Sequence, residues 1–340
     1  MRAKPTVGII FLFLGVFALF TAGSQMPQQH APLVFVRQFS SAADVKGESH
    51  PILNKTLDII AGPKEDSPPS PSVLQQPYAV TTDLNHRIFV TDLGNGTVHM
   101  FDFAHGEHSV FRGGDRLLSP MGIAADREGN IYVSDSSLHS VLIYDAKGKF
   151  VRYLKKPREE ESYFAAPTGI SVDPTTDHIY VCDSPRHMVI VLDKRGRVLA
   201  TLGIRGGGSA PGQFKNPTQV VAREGEIAVL DRGNSRIQVL DSRGHFRREI
   251  KLANPGDRAG LAVDDQKHLY VSDPDLNHLQ AFSHDGQPLY QFGEMGNTPG
   301  QFNGVAGLWV DYGHCIYAVD GNNRRVELFA IPAVATRPCL

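Results

Sequence analysis

The chain has 340 residues, 41% hydrophobic and 21% charged, an ordinary globular composition long enough for one large domain or two smaller ones. Its formal charge is -2, and losing the two positive charges of Arg2 and Lys4 would make it -4, so no basic excess points to nucleic acid or another polyanion. Cys182, Cys315 and Cys339, an odd number without close spacing, read as structural thiols rather than a disulfide framework or a zinc knuckle.

Met-Arg-Ala-Lys-Pro opens the chain, the uncharged apolar run Val7 to Phe20 follows, and Thr21-Ala22-Gly23-Ser24 supplies small residues. This order predicts a signal peptide over residues 1–23. Val7 to Ala22 is 16 residues, short of the roughly 20 that cross a bilayer as a helix, which favours cleavage over the alternative of an uncleaved N-terminal anchor. The expected location is therefore periplasmic or extracellular, with membrane attachment only through that anchor. Residues 24–76 hold a strand candidate, Leu33-Val-Phe-Val-Arg-Gln-Phe39, and a second one, Leu57-Asp-Ile-Ile-Ala61, in a stretch from Ile52 that could equally be a short helix. Gly62 to Ser72, rich in Pro, Ser and charge, reads as an exposed loop.

From residue 77 to 331 one phrase recurs: Pro, then small and apolar residues ending in Asp, a turn, an apolar run ending in Asp, and a third run ending near Gly. Pro120-Met-Gly-Ile-Ala-Ala-Asp126 with Asn130-Ile-Tyr-Val-Ser-Asp135 is a clear copy. The Asp ending the second run marks the period, at Asp92, Asp135, Asp183, Asp231, Asp273 and Asp320, with intervals of 43, 48, 48, 42 and 47 residues. The runs are short, β-branched and aromatic, and bounded by Gly, Asp, Asn or Pro, as antiparallel strands are. One such sheet cannot bury both faces, but six packed face to face around an axis can, which predicts an all-β, six-bladed β-propeller of four-stranded antiparallel blades. The small residues Ala79, Gly122, Gly169, Gly260 and Gly307 suit innermost strands crowded near the axis, and Gln219 is the exception. The last copy stops after Val326-Glu-Leu-Phe-Ala-Ile331, so its fourth strand is expected from Leu33 to Phe39, leaving residues 332–340 as a tail.

The phrase resembles the NHL repeat, and its connectors sharpen the likeness: Leu202-Gly203 leads to Pro211-Gly-Gln-Phe214, and Phe292-Gly293 to Pro299-Gly-Gln-Phe302. The layout looks like exported bacterial six-bladed NHL proteins, with a leading strand, a short insertion and then the repeats. Such a resemblance implies fold strongly and function weakly.

Family geometry places two positions per repeat at a mouth of the channel. The position after the opening Pro reads Tyr78, Met121, Thr168, Thr218, Ala259 and Ala306, and the one four beyond the marker Asp reads Gly96, His139, His187, Ser235, Asn277 and Arg324. Tyr78, Met121, His139, Thr168, His187, Thr218, Gln219 and Arg324 are thus the expected ligand-binding set. In the NHL lyase acting on peptidyl-α-hydroxyglycine, zinc is held by two His after the opening Pro and one four beyond the marker Asp. Here Val133-Ser-Asp135-Ser-Ser-Leu-His139 resembles the latter motif, but no His follows any opening Pro, so two of three ligands are missing. No metal site is assigned, although His139 and His187 on adjacent copies could be two ligands of another metal. The marker Asp residues read as turn caps, one per blade, rather than catalytic groups. Arg232, Arg236, Arg324 and Arg325 could receive a carboxylate or phosphate, or simply form a solvated rim. Lys155 to Glu161, nearly balanced in charge, reads as a solvated loop between blades.

The expected function is a non-catalytic binding or scaffolding module of the cell envelope, presenting a propeller face to a protein, peptide or glycan, with no nucleic acid. The alternative is a metal-assisted lyase or hydrolase at the channel mouth around His139, His187, Tyr78 and Arg324. No cofactor is assigned.

Overall fold

The computed structural model describes residues 33–46, 72–112, 117–154, 163–331 and 339. The predicted signal peptide, the candidate strand Leu57 to Ala61, Gly62 to Ser72 apart from Ser72, Lys155 to Glu161 and most of the tail lie outside them. Six four-stranded antiparallel sheets form, five of them each from one repeat and the sixth from the last repeat with one strand of the leading segment, and they are arranged as the blades of a propeller. The innermost strands are Pro77–Thr82, Pro120–Ala125, Pro167–Val172, Pro217–Arg223, Leu261–Val263 and Val305–Val310, and each contacts its counterparts on both sides around the axis.

Alternation along the strands sends apolar side chains to both faces of each blade, so the protein has six cores, each shared by two adjacent blades. Between the third and fourth blades, for example, Tyr180, Cys182 and Val189 pack against Val220, Ala222 and Val229. Small axial residues are a steric requirement. A Cβ on Gly122 would stand 2.4 Å from the Thr168 carbonyl, one on Gly260 2.4 Å from that of Ala306, and one on Gly307 2.5 Å from that of Tyr78, each in the neighbouring blade.

The sixth blade closes as expected: Val34–Phe39 pairs antiparallel with Arg325–Ala330, and Phe39 is buried in the core shared by the sixth and first blades. A short helix does occur in the leading segment, but at Ala42–Val45, upstream of the stretch from Ile52. One reading of the sequence is corrected. Cys315 and Cys339 form a disulfide, so two of the three cysteines are not thiols, and Cys339 is buried. Their separation of 24 residues carries no spacing signature, because Cys339 meets Cys315 only in the folded chain. Cys182 is a free, buried thiol whose pKa burial pushes up.

The Pro-Gly-Gln-Phe connectors have a structural reason. Gly212 donates its N–H to Gln238 Oε1 at 2.9 Å while Arg236 grips the Gln213 carbonyl at 2.9 Å. Gly300 does the same to Glu327 Oε2 at 2.8 Å, and Arg325 grips the Gln301 carbonyl at 2.9 Å. Phe214 and Phe302 are fully buried beneath.

Candidate binding site on the propeller axis

The six inner strands run in the same sense around the axis, so the axis has a mouth where they start and another where they end and turn back. Tyr78, Met121, Thr168 and Thr218 are the second residues of their inner strands, at the strand-start end of the axis. Tyr78 is buried beneath the Arg258 guanidinium, 5.5 Å from its ring, and burial raises its pKa against the lowering effect of Arg258 and Arg232. Met121 is half-buried. Thr168 Oγ1 shares a hydrogen bond of 2.8 Å with Ser184 Oγ, whereas the buried Thr218 Oγ1 has no partner. Gln219 lines the constricted channel between the mouths, beside Ala79, Gly122 and Gly307.

The position four beyond the marker Asp is a conformational site in all six blades. Gly96, His139, His187, Ser235, Asn277 and Arg324 have φ between 50 and 61°, the left-handed residue of the hairpin joining the second and third strands. Several of these side chains then tie to the next blade. His139 Nδ1 bonds the Ala165 carbonyl, His187 Nδ1 accepts the Asn216 N–H at 2.9 Å, and Asn277 Oδ1 accepts the Gly304 N–H at 2.6 Å. Accepting through Nδ1 places the proton of neutral His187 on Nε2, which leaves that ring no free lone pair for a metal. His139 and His187 are therefore separate inter-blade staples, and Arg324 is exposed. Among the described residues no group of three or more His, Cys, Asp or Glu is placed to hold a metal ion. Arg232 pairs with Asp257, and Arg236 and Arg325 are buried against Asp231 and Asp320 rather than forming a solvated rim.

A cavity lies at the other end. About 440 Å³ opens where the inner strands of the first four blades end, with the sixth blade completing the wall through Trp309 and Tyr312. Leu84, Val172, Pro174 and Val221 make much of the wall apolar, and Trp309 Nε1 donates to Thr82 Oγ1 at 2.8 Å between the sixth and first blades.

Five inner strands are followed at once by Asp83, Asp126, Asp173, Asp264 or Asp311, whose carboxylates cap the turn, as when Asp83 Oδ1 accepts the Asn85 and Arg87 N–H groups at 3.0 and 2.9 Å. The fourth finishes on Arg223. Its turn is a two-residue Glu224–Gly225 hairpin with both residues at positive φ, closed by pairing of Arg223 with Glu226, so no capping carboxylate is needed. The freed side chain crosses the axis, where Nη1 donates to the carbonyls of Val263 in the fifth blade (3.0 Å) and Val310 in the sixth (2.8 Å). Arg223 is only 4% exposed and lines the cavity, with its Nε and Nη2 lacking any acceptor and the Tyr312 ring 4.3 Å from its guanidinium carbon. This break in the repeat was visible in the sequence, as the one copy whose first run ends in Arg where the others end in Asp.

Residues 164–198 match the model of the NHL repeat. The chain carries an NHL repeat in a six-bladed propeller. The chain is 30% identical over 171 residues to rat peptidylglycine alpha-amidating monooxygenase, covering 47% of this chain and 18% of that protein. It is 29% identical over 134 residues to a Caenorhabditis elegans protein named "Probable peptidyl-alpha-hydroxyglycine alpha-amidating lyase pgal-1", covering 36% of this chain and 38% of that one. The chain thus spans less than a fifth of the rat relative and under two-fifths of the nematode one. Among solved structures, a protein of unknown function from Bacteroides thetaiotaomicron superposes with a TM-score of 0.60 at 14% identity, covering 78% of this chain and 72% of that one. Virginiamycin B lyase from Staphylococcus aureus superposes with a TM-score of 0.55 at 10% identity, covering 86% and 98%. At these identities the superpositions show the propeller alone.

Proposed function

We propose that the NHL propeller is an exported binding module of the cell envelope, which holds a protein, peptide or glycan partner by a group inserted into the axial cavity at its turn mouth. The observation that carries this reading is that cavity: about 440 Å³, within the usual range of ligand pockets, walled mainly by apolar side chains and floored by one buried cation. Support for export comes from the leader-like first 23 residues and from the Cys315–Cys339 disulfide, a bond that persists in oxidising compartments. Capture from an envelope fraction by the wild type and by Ala125→Trp, which fills the cavity from a strand end, tests it. Capture that survives the substitution unchanged, or no reproducible partner, sinks the proposal.

The similarity to amidating enzymes supports a second reading, a metal-assisted lyase or hydrolase. Its candidate imidazoles, His139 and His187, are each engaged with the next blade. Elemental analysis of the purified protein decides it: a stoichiometric transition metal lost in His139→Gly would favour the enzyme.

A further inference from the structure

We infer that the turn-mouth cavity takes a carboxylate on the Nε–Nη2 edge of Arg223, borne by a ligand whose remaining body is flat and apolar. The inference rests on the reading of that cavity as the ligand site and adds the chemistry of what enters it.

A guanidinium buried without an anion is costly, because the desolvation of its charge is not returned. Arg223 recovers part of this through Nη1 and the two carbonyls, and part through the face of Tyr312. Its Nε and Nη2 remain without acceptors, and together they form the edge that receives both oxygens of a carboxylate. The cavity's own carboxylates are committed elsewhere. Asp83 is held by Arg87 at 2.6 and 2.8 Å, and Asp126 by Asn130 at 2.9 Å and Tyr132 at 3.0 Å, with Lys194 3.7 Å away. Arg127, exposed on the rim, adds a second positive charge. Tyr312, 47% exposed on its turn with its ring 4.3 Å from the guanidinium carbon, is the side chain whose tilting admits the ligand. The apolar walls and Trp309 then take the body of the ligand.

Trp309 is the single tryptophan of the chain, so its fluorescence reports the cavity without a label. The probes are 3-phenylpropionate, a free acid, and N-acetyl-glycyl-phenylalanine, a peptide C-terminus, each against its neutral amide. A charge-assisted bidentate contact predicts that at least one acid binds saturably and about 10- to 100-fold tighter than its amide. The tighter acid identifies the source of the carboxylate. Arg223→Gln brings acid affinity down to that of the amide, and Arg223→Lys, which keeps charge but loses the fork, falls between. If Arg223→Gln does not fold, the acid and amide comparison on the wild type decides alone. Equal binding of acid and amide overturns the carboxylate inference and leaves the cavity as a ligand site. Saturable binding by none of the four probes overturns the inference, while the proposed function stands or falls on capture by Ala125→Trp.

Discussion

Glu327→Gln should make the propeller less sensitive to alkaline conditions. Glu327 is completely buried in the sixth blade, where it accepts the Gly300 N–H and contacts Arg325 beside the buried Asp320. Burial pushes its carboxyl up to about 7 from an ordinary value of 4.5, against the lowering effects of Gly300 and Arg325. A folded-state pKa above the unfolded one means that the folded protein binds the extra proton, so stability is lost as pH rises from about 4.5 through about 7. The interval corresponds to at most about 3 kcal/mol. The fourth blade shows that an amide fits: Gln238 accepts the Gly212 N–H at 2.9 Å and donates to the Gln213 carbonyl at 2.6 Å and to Asp231 at 3.1 Å, beside Arg236. Urea unfolding followed by circular dichroism should find the two proteins alike near pH 5 and the variant ahead by pH 8. Parallel curves, or a variant that loses ground as pH rises, would show that Arg325 keeps the carboxylate ionised throughout and refute the reasoning.

Cys315→Ser should lower unfolding free energy by about 3 kcal/mol, the chain-entropy value for a 24-residue loop, and reductant should give the wild type the same melting curve as the variant. Gly260→Ala forces a Cβ to within 2.4 Å of the Ala306 carbonyl and 2.7 Å of the Leu308 nitrogen, so thermal melting should reveal a loss of about 2–3 kcal/mol. His187→Gly, which adopts the left-handed turn freely as Gly96 already does, should cost about 1 kcal/mol by removing the acceptor for Asn216, with metal content unchanged by elemental analysis. Arg325→Ala strips the buried Asp320 and Glu327 of their cation and Gln38 of its donor, and a loss of about 3–5 kcal/mol by urea unfolding is expected.

Blades and ring closure were legible because both follow from local rules: alternation sets the strands, the marker Asp sets the period, and an incomplete last copy demands a strand from elsewhere. The axial glycines were legible for the same reason, since close approach admits only small side chains. Cysteine pairing was not, because sequence separation says nothing of where a tail returns. His139 and His187 drew a metal reading from residue type, whereas their shared property is a left-handed backbone that also suits Gly96 and Asn277. Arg223 was missed although its signal was present: a departure from a repeated Asp marks a side chain released from the turn and free to serve the axis.

Closure of the sixth blade also sets an order of events. Gln38, in the first described strand, meets Arg325 in the last, 287 residues later. That first described strand therefore has no partner until the strand carrying Arg325 is available. Five blades can assemble while the ring is open, but the contact that seals it has among the longest sequence separations in the protein, the kind that slows folding. Sealing waits for the segment that carries Arg325, and the disulfide can form only once Cys339 has arrived.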